Sequence, residues 1–217
     1  MTKTELRKEY NYSESDFIIL YIAEFIKRKN HGFLIRAVPE LKKQIPNLKL
    51  ILPGRGILLE EMKTLAQELG IDDIIDFPGY RNDINNLCRI SDIHVAVSHQ
   101  EGQGINNIEA MTTGLPLVVS NIRGHQDVVV DGRNGFLFEP GNSKDMIDKI
   151  MKLYNNEALM NEIKQNNIQD CKKFSVEKAI EKTAAIYISV LSPPPHTHTF
   201  RQINSSLYYA VSYQEAA

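Results

Sequence analysis

The stretch Phe17-Ile18-Ile19-Leu20-Tyr21-Ile22-Ala23-Glu24-Phe25-Ile26-Lys27-Arg28-Lys29-Asn30-His31 decides the fold. Its first seven residues form a continuous apolar run, the pattern of a strand buried on both faces. A basic loop follows. Then His31–Gln44 carries Phe33, Leu34, Ala37, Val38 and Leu41 at helical spacing. Pro39 stands in the middle of that segment and should kink or shorten the helix. The alternation repeats along the chain. Strand-like Leu48–Leu52 leads to amphipathic Ile57–Leu69, which stops at Gly70. Ile74–Phe77 precedes one or two helical turns at Asp83–Cys88. Ile93–Val97 leads to Ile105–Thr113, and Leu115–Ser120 and Gly135–Phe138 complete the strands. Ser143 reads as the N-cap of Lys144–Tyr154, and Glu157–Lys172 and Val176–Leu191 read as further helices. Such alternation implies right-handed βαβ units and a parallel sheet with helices on both faces. The expectation is an α/β, Rossmann-like domain over about 15–140 with a helical C-terminal extension.

Composition fits this reading and excludes others. The chain has 217 residues, of which 42 % are hydrophobic and 24 % charged, with a net charge of −2. Those values describe a globular chain rather than a disordered or fibrous one. The near-zero charge gives no electrostatic footprint for nucleic acid. No apolar run approaches the roughly 18–20 residues of a membrane span, and no leader pattern opens the chain, so a cytoplasmic domain is expected. Cys88 and Cys171 are too few for a disulfide framework or a structural zinc site. After Ser192-Pro193-Pro194-Pro195 no periodicity is visible, and an irregular tail is expected over 192–217, with His196 and His198 as solvated side chains.

In open parallel sheets ligands bind beyond the carboxyl ends of the strands. After the first strand, Lys27, Arg28 and Lys29 suit an anion such as a diphosphate, or form a solvated basic loop. After the second, Pro53-Gly54-Arg55-Gly56 permits a close backbone approach or a plain turn, and lacks the Gly-Lys-Ser/Thr of a P-loop. After the third, Pro78-Gly79-Tyr80-Arg81 offers backbone and a planar guanidinium that could recognise a base, or forms an ordinary turn. After the fourth comes the most informative stretch, Ser98-His99-Gln100-Glu101-Gly102-Gln103-Gly104-Ile105-Asn106-Asn107-Ile108-Glu109. Its glycines allow a compact loop, and a helix starts near Ile105. Glu101 in the loop and Glu109 a turn into the helix could bind hydroxyl pairs on a sugar and a ribose. They could also be an acid–base pair for glycoside hydrolysis, or a cap and a surface residue. The Rossmann-type sheet and the basic loop favour a sugar nucleotide. His99 and His125 read as neutral lining groups, and His94 as structural.

Taken together these segments resemble the family 4 group of retaining glycosyltransferases of the GT-B fold, in the version seen in capsule and exopolysaccharide enzymes. Glu101 and Glu109 stand in its E-x7-E arrangement. The run Glu101 to Val118 resembles its EGFG…EAMA-x-G-x-PVV, Asp131 to Leu137 its DGxNGxL turn, and Ala23 to His31 its GRLxxxKG segment. The resemblance implies that residues 16–191 bind a nucleoside diphosphate sugar, such as a UDP-sugar, without a cofactor or an obligatory metal. Lys29, helped by Arg28, would hold the diphosphate. Glu109 would hold the ribose. Glu101 with Gly102, Gln103, Gly104, Ile105 and Asn106 would hold the sugar. Gly54, Arg55, Tyr80 and Arg81 would complete the nucleotide side. Attack on the donor's front face, with the donor phosphate taking the acceptor's proton, would then need no general base.

There are departures from the family pattern. Glu24 stands where many members have an Arg, Gln103 replaces the usual Phe, and Asp127 stands where Glu is common. Members of this family have two Rossmann-like domains, with the acceptor site in the N-terminal one. Residues 1–15 resemble the linker helix entering the second domain, so the chain resembles the donor-binding half. A glycan or lipid-linked acceptor is then expected to need the missing N-terminal domain, which often carries docking at the inner membrane face. The alternative is a nucleotide-sugar-binding module that is catalytically incompetent alone.

Overall fold

The computed structural model describes residues 1–191. The chain runs α1 (Lys3–Glu9), β1 (Phe17–Leu20), α2 (His31–Gln44), β2 (Leu48–Ile51), α3 (Leu59–Glu68), β3 (Ile75–Asp76), α4 (Ile84–Ile90), β4 (Ile93–Ala96), α5 (Ile105–Thr112), β5 (Leu117–Ser120), α6 (Arg123–Gln126), β6 (Gly135–Phe138), α7 (Ser143–Tyr154), α8 (Glu157–Asp170) and α9 (Val176–Leu191). All strand pairings are parallel, in the order β3-β2-β1-β4-β5-β6. Residues Met1–Ser175 form one compact unit, and α9 belongs to a second. The expected tail, 192–217, lies outside the described residues.

The apolar runs explain the centre of the sheet. Every residue of β1, β4 and β5 is buried, as strands covered on both faces must be. Right-handed crossovers then put α2 and α3 on one face and α5 on the other, because the sheet grows in opposite directions from β1 and β4. The chain therefore parts between β1 and β4, leaving a crevice at their carboxyl ends.

Local details differ from the sequence expectations in three places. Helix α2 runs unbroken through Pro39. The proline removes the hydrogen bond to the Ile35 carbonyl, but buried Leu34, Ile35, Val38 and Leu41 hold both halves in the core. The cap of α7 is Asn142, whose side chain accepts from the Asp145 N–H at 3.0 Å, and Ser143 is the first helical residue. Helix α3 starts at Leu59 rather than Ile57. The intervening loop is pinned to the β1 loop instead: Phe25 N–H donates to the Arg55 carbonyl at 2.8 Å, and Leu58 N–H to the Phe25 carbonyl at 3.0 Å.

Helix α1 is built into the first unit. Its Leu6 is buried, and so is the Arg7 guanidinium. Arg7 donates to the Ile90, Glu14 and Asp16 carbonyls, each at 2.9 Å, and pairs with Asp92 at 2.7 Å. Taken by itself, α9 exposes Val176, Ile180, Ile186, Tyr187, Ile188, Val190 and Leu191. No helix among the described residues is long and apolar enough to cross a membrane.

Candidate functional site

The site gathers at the carboxyl ends of β1 and β4, where the strand order reverses. Two loops meet there. The β1 loop closes in a 3-10 turn, Lys27–Lys29, ended by Asn30 in the left-handed region. The β4 loop runs from Val97 to Gly104. Its His99 N–H donates to the Arg28 carbonyl at 2.8 Å. Across this junction the Lys29 ammonium donates to Glu101 Oε1. The Arg28 guanidinium stands 3.6 Å from Glu101 Oε2. The Lys29 and Glu101 side chains are only 12 % and 6 % exposed, whereas Arg28 is 48 % exposed. Burial pushes the Glu101 carboxyl up, but the Lys29 hydrogen bond and charge and the Ser98 hydroxyl outweigh it and hold the group below its ordinary value.

Three hydroxyls that carry no motif brace this pair. Ser98 Oγ donates to Glu101 Oε1 at 2.6 Å. Tyr21 is fully buried, and its Oη donates to the Lys29 carbonyl at 2.7 Å and lies 3.0 Å from Ser98 Oγ. Ser120 Oγ donates to the Ser98 carbonyl at 2.7 Å. Ser98 and Ser120 each close an apolar run in the sequence, whereas Tyr21 sits inside one and reads there as an apolar residue.

Gly104 has φ 63° and ends the loop at the N-cap of α5. A Cβ there would lie 2.8 Å from the Asn107 amide. Gly124 packs beneath the loop from α6, and a Cβ on it would lie 2.4 Å from the Glu101 carbonyl. Asn106 Nδ2 donates to the Ile22 carbonyl at 2.9 Å, tying α5 to the end of β1. One of its amide hydrogens is thereby spent on the main chain. Gly102, Gln103 and Ile105 are exposed.

Beside this pair lies a cleft of about 420 Å3. Gly54, Arg55, Tyr80, Arg81 and Glu109 all line it, and so does Glu24. The Arg55 guanidinium lies over the Tyr80 ring at 5.4 Å. Arg81 is held by Asp83 through two hydrogen bonds, at 2.8 and 2.5 Å, and these draw the Asp83 carboxyl down to about 2. Among the described residues no hydrogen bond or ion pair engages the Glu109 carboxylate, and partial burial raises its pKa. The structure thus divides the expected residues into an ion cluster (Arg28, Lys29, Glu101) and a cleft (Gly54, Arg55, Tyr80, Arg81, Glu109), with Glu101 and Glu109 linked along the chain by the end of the β4 loop and the first turn of α5.

Of the expected histidines, His99 is exposed on the β4 loop, whereas His31, His94 and His125 lie deeper. His94 and His125 are fully buried, and His31 stacks on Phe25 at 4.1 Å. Burial, with the nearby Lys29 charge, takes His31 down to about 3, and burial also takes His94 to about 3 and lowers His125. His125 Nδ1 lies 2.8 Å from the Ser120 carbonyl, so the imidazole braces β5 rather than facing the cleft. Cys88 is buried, which pushes its thiol up to about 12. Among the described residues no group of three or more His, Cys, Asp or Glu is placed to hold a metal ion.

A parallel sheet of this order defines the class as a Rossmann-like domain of GT-B type. The chain belongs to the glycosyl transferases group 1 family, which it matches over residues 2–170. It is 36 % identical over 182 residues to EpsD of Bacillus subtilis (strain 168), a glycosyltransferase by name, across 84 % of this chain and 48 % of that protein. It is 28 % identical to the poly(ribitol-phosphate) alpha-N-acetylglucosaminyltransferase of Staphylococcus aureus (strain COL), over 81 % of this chain and 36 % of that one. Among solved structures, Anabaena Alr3699/HepE in complex with UDP superposes with a TM-score of 0.80 at 24 % identity, covering 86 % of this chain and 52 % of that one. The chain spans about half the length of the curated relatives it matches.

Proposed function

We propose that this chain is the donor-binding part of a hexosyltransferase. It takes a nucleoside diphosphate sugar, a UDP-sugar by preference, and passes the sugar with retention to a glycan or lipid-linked acceptor in surface polysaccharide synthesis. The observation that carries this reading is the Lys29–Glu101 pair beside the Glu109 cleft, at the strand-order reversal. Glu109 accepts from the ribose hydroxyls, and Arg55, Tyr80 and the Gly79–Arg81 backbone meet the base. Lys29 and Arg28 neutralise the diphosphate. Glu101 and the 102–105 backbone hold the sugar. Support comes from a relative named as a poly(ribitol-phosphate) alpha-N-acetylglucosaminyltransferase and from structural neighbours solved with UDP and UDP-glucose.

In the reaction the sugar C1–O bond to the diphosphate breaks and the acceptor oxygen bonds to C1 on the same face. The acceptor's proton passes to the departing phosphate oxygen. Lys29 stabilises the charge growing on that phosphate, which is electrostatic catalysis without a cofactor and without an obligatory metal. Calorimetry with UDP, UDP-glucose, UDP-N-acetylglucosamine and uridine tests the reading. Binding of UDP is expected, with Lys29→Met weakening UDP at least about tenfold and uridine little. No heat with any of these ligands at millimolar concentration refutes it.

A second reading is favoured by the half-length match: this part binds donor, and transfer needs an acceptor domain supplied by the rest of the fold. Efficient transfer by the purified 217-residue chain would exclude it.

A further inference from the structure

The proposed diphosphate cation is already occupied by a carboxylate of the protein's own. Lys29 donates to Glu101 Oε1, both side chains are nearly buried, and Arg28 faces the second carboxylate oxygen at 3.6 Å. A buried ion pair of this kind is costly to break unless both charges find new partners. Any anion that Lys29 and Arg28 bind must therefore take them from Glu101.

We infer that Glu101 is a specificity-determining residue that discriminates the intact sugar donor from the bare nucleoside diphosphate left after transfer. The inference rests on the nucleotide-sugar reading above. A diphosphate arriving with a sugar draws Lys29 away from Glu101 and offers the freed carboxylate hydroxyl groups to accept from. A diphosphate arriving alone draws Lys29 away and leaves Glu101 beside a second anion with nothing to receive. The same carboxylate thus supports the donor and opposes the by-product.

The neighbouring hydroxyls make the exchange feasible. Tyr21 and Ser98 hold two hydroxyl hydrogens between them, yet they make three contacts. Tyr21 donates to the Lys29 carbonyl at 2.7 Å, Ser98 donates to Glu101 at 2.6 Å, and the two oxygens lie 3.0 Å apart. With both hydrogens so placed, the Tyr21–Ser98 contact holds none. When Glu101 turns away, the Ser98 hydroxyl can swing to Tyr21 Oη without leaving a buried donor unsatisfied. The β1 loop stays where it is, because Tyr21 keeps the Lys29 carbonyl and His99 N–H keeps the Arg28 carbonyl at 2.8 Å. The pair can therefore exchange partners at side-chain level while the two loops remain joined.

The experiment is a calorimetric comparison of wild type, Glu101→Gln, Lys29→Met and the double variant, using pyrophosphate, UDP and UDP-glucose. Glutamine keeps the size of Glu101 and removes its charge. Glu101→Gln is expected to bind pyrophosphate and UDP about tenfold more tightly than wild type. The ratio of UDP-glucose to UDP affinity is expected to fall. In the Lys29→Met background the gain should vanish, because there is no cation left to contest. Unchanged or weaker pyrophosphate binding in Glu101→Gln overturns the inference. So does an equal gain with and without Lys29, which would mean simple repulsion. Ser98→Ala, which loosens Glu101 without touching its charge, should move pyrophosphate affinity the same way by a smaller factor. It decides the matter if Glu101→Gln does not fold. Failure of wild type to bind UDP at all, with the pyrophosphate gain present, would sink the nucleotide-sugar reading and leave the competition at Lys29 standing.

Discussion

Lys29 and Glu101 are 72 positions apart in the chain, yet their side chains meet as a nearly buried ion pair across the line where the strand order reverses. Lys29 comes from the loop after β1 and Glu101 from the loop after β4, and these strands are adjacent because the sheet grows outward from them in both directions. The junction is a property of topology, and the consequences below follow from how tightly it is built.

Gly124→Ala is expected to disturb the site from beneath. Its Cβ would lie 2.4 Å from the Glu101 carbonyl and 2.6 Å from the Gly102 carbonyl, both main-chain atoms. The loop must rise or α6 must shift. Affinity for UDP-glucose is expected to fall at least about tenfold while the melting temperature drops by only a few degrees. Calorimetry and thermal melts on the same preparation check this.

Glu109→Ala is expected to weaken uridine and UDP by a common factor of about tenfold, the value of losing charge-assisted hydrogen bonds to hydroxyls. Pyrophosphate binding should be unchanged, since Glu109 lines the cleft and stands outside the ion cluster. A loss confined to UDP would contradict the ribose role.

Stability should fall with acidification well before the carboxylates titrate. An unfolded imidazole takes up its proton near pH 6.5, whereas burial delays this to about 3 for His31 and His94. Between those values the unfolded state holds more protons, so stability is full above about pH 6.5 and falls as pH drops toward 3. Each such group contributes up to about 1.4 kcal/mol per pH unit. His31→Phe keeps the stack on Phe25 and removes one proton site. Its urea midpoint should vary less between about pH 7.5 and about pH 5.5 than that of wild type. An equal slope would refute the assignment of His31 as a buried neutral group.

Arg7→Met is expected to cost about 2–4 kcal/mol, because it removes one of the two cations paired with Asp92, Lys3 being the other, and strips the Ile90, Glu14 and Asp16 carbonyls of their buried donor. Denaturant unfolding measures this directly. A loss under about 1 kcal/mol would mean that α1 is not structurally part of the unit.

Much of the fold was legible in the sequence. Apolar runs such as the seven-residue Phe17–Ala23 admit little except a strand covered on both faces, and Gly-ended amphipathic segments between strands admit little except crossover helices. The errors were local and have local causes. Pro39 does not stop α2, because tertiary packing of Leu34, Ile35, Val38 and Leu41 outweighs one lost hydrogen bond. Asn142 rather than Ser143 caps α7, a choice of one position between two adequate capping side chains.

The site was legible as separate motifs rather than as an arrangement. Position after a buried strand marked the basic loop 27–29, Glu101 and Glu109, and the family resemblance singled out Lys29 within that loop. Spacing could not show that Lys29 and Glu101 pair with each other, nor that Asn106 spends an amide hydrogen on the Ile22 carbonyl. It also passed over Tyr21, Ser98 and Ser120, whose hydroxyls resemble any polar residue at a strand end until three strands are laid side by side. By itself, then, the sequence determined which segments are strands, which loops carry charge, and the family they resemble. Only the tertiary structure decided which charges neutralise one another, because that depends on strand order and on burial, and periodicity along one chain encodes neither.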